Sequence, residues 1–271
     1  MDRTRKATEQ PLTTFHMRRI DLNCDMGEMP DSLADGTQEE LMRYISSANI
    51  ACGGHAGNAE TMRATIEQAL RYGVSVGAHP GYEDPRNFGR TELPLSPNEI
   101  SDSVHRQILE LEEIAKRFGA AIRHVKAHGA LYNQAARDPR IARAITDGVR
   151  HWRTDVVLVG LAGSIMLDEF RTAGFAVAAE AFADRRYEND GSLRSRKFHN
   201  ALLHDPEKAA EQALQVVEQS CVNAVDGSTI ALQADTLCIH GDTPGAVEIA
   251  AAVSRRLREA GITIHPLIAR K

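Results

Sequence analysis

Four histidines stand where apolar runs of this sequence stop: His55, His79, His128 and His240. Other ionisable and amide side chains gather at the same kind of boundary. Asp21, Asn23, Asp25 and Glu28 close the first run, and Asn49, Cys52 and His55 the second. Lys126 and His128 close a later one, Glu180, Asp184, Arg185 and Arg186 another, and His240 with Asp242 the last. An imidazole moves protons near neutral pH and ligates metals when neutral. A carboxylate such as Asp25 or Glu28 can activate water or hold a cation, and a lysine or arginine can bind phosphate or carboxylate. Each has a plainer reading when taken alone. Carboxylates favour helix starts, a single histidine is more often structural than catalytic, and a lysine facing acids can be a buried ion pair. Six such clusters at the same end of their runs weigh toward a common site.

A common site requires elements that bring those ends together. Glycines follow helical stretches at Gly73, Gly119, Gly174 and Gly261, each directly before an apolar run. That order predicts a helix ended by a left-handed residue, then a strand. Ser96-Pro97 with Glu99 predicts a capped helix start, and Asp138-Pro139 and Asp205-Pro206 are similar. Ile100, Val104, Ile108, Leu111 and Phe118 then recur near a 3.6-residue period. Strands are expected at 20–24, 48–53, 74–78, 122–127, 156–161, 175–181 and 237–240, with a short one at 262–265. Several are almost continuously apolar, as suits strands covered on both faces of a parallel sheet. Asp226-Gly227 predicts a hairpin turn between short strands. Repeated strand–helix units without a linker predict one α/β domain closed into a (β/α) barrel, whose C-terminal strand ends converge on one face. The glycines near these ends, Gly77 among them, are expected to let backbone approach a ligand.

Bulk properties bound the function. The 271 residues carry a formal charge of -5, so no general basic field draws nucleic acid. No apolar run approaches the roughly 20 residues that cross a bilayer. Residues 1–17 are polar and charged, lack the apolar stretch of a signal peptide, and are expected to form a flexible extension ahead of a barrel over 18–271. The four cysteines show no Cys-x-x-Cys pair, which fits reduced thiols and a cytoplasmic location. Neither a Walker-type loop nor a Gly-x-Gly-x-x-Gly follows the first strand.

The segments DLNCDMGE (21–28), SSANIACGGHAG (46–57), VGAHPGY (76–82), HVKAHGALYN (124–133), EAFADRRYENDGSL (180–193) and ADTLCIHGD (234–242) resemble the LamB/YcsF family, the A subunit of bacterial 5-oxoprolinase. They occur in the family's order across nearly the whole chain beyond residue 17. The resemblance implies a seven-stranded, TIM-barrel-like fold related to glycoside hydrolase and deacetylase barrels. It implies hydrolysis of 5-oxoproline to glutamate coupled to ATP, with Mg accompanying the nucleotide, and separate B and C partner subunits; a homodimer is the default self-association. Gly54 stands where the family commonly has an aromatic, which would widen a pocket, and Ala127 replaces a proline.

Under this resemblance Asp25, Glu28, His55, His79, Lys126, His128, His240 and Asp242 are the expected catalytic residues. Asn23, Asn49, Glu180, Asp184 and Arg185 are expected to bind substrate or phosphate, Arg185 foremost among the basic residues of its loop. A protein-held divalent metal, if present, is expected on Asp25, His55 and His128, although no compact His-x-x-x-His spacing occurs. The loop from Tyr82 to Leu95 is a candidate lid. Two other readings stay open: a stand-alone metal-dependent hydrolase or deacetylase of a sugar or small amide, and a non-catalytic binding subunit.

Overall fold

The computed structural model describes residues 18–267; the expected extension over 1–17 lies outside the described residues. The first strand, β1 (Arg19–Met26), leads through two short helices, α1 (Pro30–Ala34) and α2 (Thr37–Leu41), to β2 (Ser47–Ala51). Helix α3 (Ala59–Tyr72), β3 (Ser75–His79), α4 (Pro97–Arg117) and β4 (Ile122–Lys126) follow. Two helices, α5 (Gly129–Ala135) and α6 (Pro139–Trp152), precede β5 (Val157–Leu161), then α7 (Ile165–Thr172) and β6 (Ala176–Phe182). After α8 (Pro206–Gln219) comes a hairpin, β7 (Cys221–Asn223) and β8 (Thr229–Ala231), then β9 (Thr236–His240), α9 (Ala246–Glu259) and β10 (Thr263–Ile264).

Seven parallel strands close into a barrel in the order β1-β2-β3-β4-β5-β6-β9, shut by pairing of β9 with β1. The short β10 joins the start of β1. The expected strands are thus all present, and so is the hairpin at Asp226-Gly227. The local signals act as expected. Gly73, Gly119, Gly174 and Gly261 all have φ between 68° and 85°. Ser96 and Glu99 cap α4 reciprocally, and Asp138 and Asp205 accept the first-turn amides of α6 and α8.

The larger apolar core lies between barrel and helices, and a smaller one of Val157, Val159 and Ala178 lies on the inner face of β5 and β6. Ile20, Leu22 and Cys24 of β1 belong to the larger, with Ile100, Val104, Ile108 and Leu111 of α4. The alternate residues of β1, Asp21, Asn23 and Asp25, point the other way because successive strand side chains face opposite sides. They meet polar partners from β2, β4, β6 and β9, so much of the barrel interior is a stack of hydrogen bonds. Gly77 of β3 makes room for one of them: a Cβ there would lie 2.0 Å from His124 Nε2. Its role is therefore to admit a neighbouring side chain, not the ligand approach expected from its position.

Candidate metal and acid–base centre

The interior stack rises in layers toward the C-terminal strand ends. At the bottom Asp21 accepts hydrogen bonds from Ser46 Oγ (2.7 Å), Ser47 Oγ (2.6 Å) and Thr236 Oγ1 (2.5 Å). Burial raises its pKa against the pull of these donors. In the middle Asn23 Nδ2 donates to Glu180 Oε1 (3.1 Å) and Thr236 Oγ1 (2.6 Å). Asn49 Nδ2 donates to Asn23 Oδ1 (2.7 Å) and Asp25 Oδ1 (2.8 Å), and His124 Nε2 meets Asn49 Oδ1 at 2.8 Å. Burial and the Lys126 charge push His124 down to about 3, so it is neutral and donates to that amide oxygen.

Lys126 ends this stack. Its Nζ lies 2.9 Å from Asp25 Oδ1, 2.9 Å from Glu180 Oε1 and 3.1 Å from Cys238 Sγ. Burial favours the uncharged amine, but the facing acids outweigh it and raise the pKa well above the usual lysine value. Burial likewise pushes Asp25 up, yet His79 and Lys126 hold it well below the usual carboxylate range.

Above this floor three histidines and Glu28 come together, all buried. One ligand atom from each of Glu28, His55, His79 and His128 falls within 4.8 Å of the others. The two central rings are oriented by backbone carbonyls, which can only accept. His79 Nδ1 is 2.8 Å from Lys126 O, and His128 Nε2 is 2.9 Å from Phe88 O. Those nitrogens therefore carry protons, so in its uncharged form each ring would present its lone pair at His79 Nε2 or His128 Nδ1. These two atoms are 3.0 Å apart, Glu28 Oε1 is 3.1 Å from His128 Nδ1, and Asp25 Oδ2 is 3.4 Å from His79 Nε2. Facing acceptors at such distances need a cation between them, either a proton on one ring or a divalent metal. Carbonyl-tethered imidazoles beside a carboxylate are also how proteins orient metal ligands, so the donor set fits a metal. His55 Nε2 lies 2.9 Å from Glu28 Oε1, and its ring stacks on His128 at 3.6 Å. Burial lowers the pKa of His55 to about 4. Burial works to raise that of Glu28, but the adjoining nitrogens of His128 and His55 keep it below the usual range.

The loop expected as a lid is a wall of this centre. Phe88 adopts φ 55°, uncommon for a residue with a side chain, and so aims its carbonyl at His128. Gly89 follows at φ 60°, and a Cβ there would lie 2.6 Å from His55 Cβ. The widened pocket expected at Gly54 is also not found. Gln107 fills that space, with its Oε1 2.4 Å from where a Cβ would be, and its amide clamps both Gly81 N and Gly81 O.

His240 forms a second unit. Its Nδ1 donates to Asp184 Oδ1 at 3.0 Å, and Asp184 also accepts from His240 N and Thr243 Oγ1. The proton on Nδ1 leaves Nε2 as the basic atom. Burial opposes ionisation of Asp184, but His240 and the other donors hold its pKa at about 2.

A cavity of about 1070 Å³ opens over both units. Asp25, His79, Lys126, His128, Phe182 and His240 line it, together with Arg90, Arg137, Arg185, Arg196 and Lys197. The structure thus brings Asp25, His79, Lys126, His128, His240 and Arg185 to one cavity, with Glu28 and His55 just behind. Four others lie behind it. Asn23, Asn49, Glu180 and Asp184, expected to bind substrate or phosphate, are at most 1% exposed and do not line the cavity; their contacts are with Lys126, Asp25 and His240. Asp242, two residues beyond His240, accepts from Arg90 and Arg196. The expected metal set of Asp25, His55 and His128 becomes Glu28, His55, His79 and His128, with Asp25 at the edge. Residues not singled out from sequence are His124, Cys238, Thr236, Gln107 and Arg196. For His124 a signal existed, since His124, Lys126 and His128 alternate along one strand.

A parallel barrel with an ionisable floor and a histidine–carboxylate centre at its C-terminal mouth belongs to the class that supports hydrolytic chemistry at strand ends. The chain belongs to the LamB/YcsF family, whose model matches residues 20–271. It is 50% identical over 249 residues to the A subunit of 5-oxoprolinase from Chloroflexus aggregans, covering 92% of this chain and 99% of that one. It is 47% identical over 246 residues to the corresponding protein of Bordetella pertussis, covering 91% and 98%. Among solved structures, the lactam utilization protein of Thermus thermophilus superposes with a TM-score of 0.85 at 42% identity, covering 92% of this chain and all of that one. A putative cellobiose-phosphate cleavage protein of Enterococcus faecalis, 12% identical with a TM-score of 0.54, covers 91% and 96% and shares the fold. Both of these relatives are named as one subunit of an enzyme.

Proposed function

We propose that this chain is the ring-opening subunit of an ATP-dependent 5-oxoprolinase, working with B and C subunits. The observation that carries this reading is the pairing of two proton-handling units, His240–Asp184 and the Glu28–histidine cluster, over one cavity. The subunit names of its relatives supply the substrate.

A lactam carbonyl resists attack because nitrogen donates into it. Transfer of a phosphoryl group from ATP to the lactam oxygen removes that protection and leaves ADP. Water then adds to the ring carbon, and the tetrahedral adduct must break its C–N bond rather than its C–O bond. Loss of phosphate at this point would only return the lactam. C–N cleavage needs a proton on the ring nitrogen and gives the acyl phosphate of glutamate, which a second water cleaves to glutamate and phosphate. His240 Nε2, backed by the Asp184 carboxylate, takes a proton from the attacking water and returns it to the departing nitrogen. Lys126 keeps Asp25 ionised and fixed at the cavity floor, where it orients that water. A divalent metal, when bound by Glu28, His79 and His128 with His55 alongside, would supply a Lewis acid for developing negative charge.

The test is glutamate release from 5-oxoproline by the purified chain with and without ATP and its B and C partners. Glutamate is expected only when ATP and all three subunits are present, and His240→Ala should abolish it. ATP-independent cleavage of a small amide by the chain alone would replace this reading with a stand-alone hydrolase.

A further inference from the structure

We propose that Arg185 and the first turn of α7 form a phosphoryl-binding subsite on the wall of the cavity that His79 and His128 also line. Strands β5 and β6 are adjacent, with Leu161 paired to Glu180, so the segments leaving their C-terminal ends lie side by side. One carries Gly163, Ser164 and Ile165 and the other Arg185, and all four line the cavity.

Arg185 is a buried cation, 6% exposed. Its Nη2 donates to Arg194 O at 2.7 Å, while its Nε is buried and has no partner. Among the described residues no carboxylate lies within ion-pair distance of it. A buried guanidinium without a counter-ion is costly unless an anion completes it. Burial and the neighbouring Arg196 charge draw its pKa down to about 10 and outweigh the more distant Asp184 carboxylate, which pulls the other way. Beside it, Ser164 turns its hydroxyl back to Leu161 O and does not cap α7. Leu167 N donates to Ser164 O, which leaves the amides of Ile165 and Met166 without a capping side chain at a helix start that lines the cavity, where the helix dipole favours negative charge. Arg196 and Lys197 line the same wall, and Arg196 shares the single Asp242 carboxylate with Arg90. Several donors with excess positive charge suit a dianionic phosphoryl group better than a single carboxylate.

The identity of the group's carrier rests on the ring-opening reading. The phosphoryl of the activated lactam would bind here while its ring carbon faces His240 and Asp25. No covalent step is added; the subsite holds the phosphoryl through attack and releases it as phosphate.

The experiment is calorimetric titration of the full-length wild-type chain, Arg185→Gln and Arg196→Gln with inorganic phosphate at constant ionic strength. Acetate, 5-oxoproline and ADP serve as competitors. Wild type is expected to bind phosphate saturably, in the range of ~1–10 mM for so small a ligand. Arg185→Gln should weaken this about tenfold or more, and Arg196→Gln by a few-fold. ADP competing in the same range would assign the subsite to the nucleotide's phosphates, and ADP without effect to a phosphorylated substrate; both support a phosphoryl site. Absence of saturable binding to wild type, or equal binding by Arg185→Gln, overturns it. So does displacement of phosphate by acetate or 5-oxoproline at equal concentration, which would mark a carboxylate pocket. Should Arg185→Gln not fold, wild type and Arg196→Gln decide: equal affinities overturn the proposal. Phosphate binding that persists in a chain inactive on 5-oxoproline with all partners would overturn the lactam reading alone.

Discussion

Replacing Lys126 by methionine removes a buried ammonium that faces two carboxylates of the barrel interior. Its ammonium sits 2.9 Å from both Asp25 Oδ1 and Glu180 Oε1, and all three side chains are at most 6% exposed. At an effective dielectric near 20, each contact is worth roughly 6 kcal/mol of Coulomb attraction before desolvation is charged against it. Leaving buried partners uncompensated costs about 3–5 kcal/mol net. In a chain of this size that corresponds to a melting temperature lower by ~6–20 °C at pH 7. The pH dependence identifies the cause. In the wild type the Asp25 pKa is depressed, so its stabilisation is fully present above the unfolded value near 4 and is lost only as pH falls from there toward the lower folded value. In Lys126→Met the same buried carboxyl would be raised, so its penalty applies at pH 7 and is relieved as pH falls. The gap between the two proteins should therefore narrow on going from pH 7 to pH 4.5, measured by calorimetry or circular dichroism at both values. A variant within about 1 kcal/mol of wild type at pH 7, or a gap that does not change with pH, would refute a charge-based role for Lys126.

Asp184→Asn should leave the fold intact and lower kcat by two to four orders of magnitude, because His240 loses the carboxylate that fixes its tautomer. Combining it with His240→Ala should cost little more than His240→Ala alone, which steady-state kinetics of the assembled enzyme can read. Gly77→Ala places a methyl 2.0 Å from His124 Nε2 and should destabilise by about 1–3 kcal/mol in urea titrations, with part of the loss recovered in Gly77→Ala/His124→Ala. Wild-type stability should decline as pH falls from about 4 toward 2. The Asp184 carboxyl, held near 2, contributes about 2 kcal/mol above the unfolded value and loses it across that window. If a metal occupies the Glu28–histidine centre, elemental analysis should find about one divalent ion per chain, and Glu28→Gln with His79→Ala should abolish it; equal metal content in wild type and variant would place the ion elsewhere.

Much of the fold was legible because its signals are local. A glycine after a helix, a serine or aspartate before a proline, and an apolar run each act within a few residues, and each marks an element where the structure has one. The candidate site was legible as a set of strand ends, which is a property of parallel barrels in general. What each residue does there was not, because roles are fixed by partners far away in sequence. Asn23 meets Glu180 157 residues on, and Lys126 meets Cys238 112 residues on. Nothing local separates Asp25, which borders the cavity, from Asp184, which stands behind His240. Depth in the barrel decides that, and depth follows from strand register.

The polar barrel axis has a consequence for how the chain finds its register. An apolar interior tolerates a strand displaced by one residue if volume is roughly kept. Here a one-residue slip of β1 would turn Leu22 and Cys24 into the axis and strand Asp21, Asn23 and Asp25 among the helices. Ser46, Ser47, Asn49, Lys126 and Thr236 would then lose their partners together. The hydrogen-bond stack thus acts as a vernier that reads alignment across several strands at once and penalises near-misses during folding. Drift at any one interior position is then constrained by residues on several other strands, so changes there should be inherited as matched sets rather than singly.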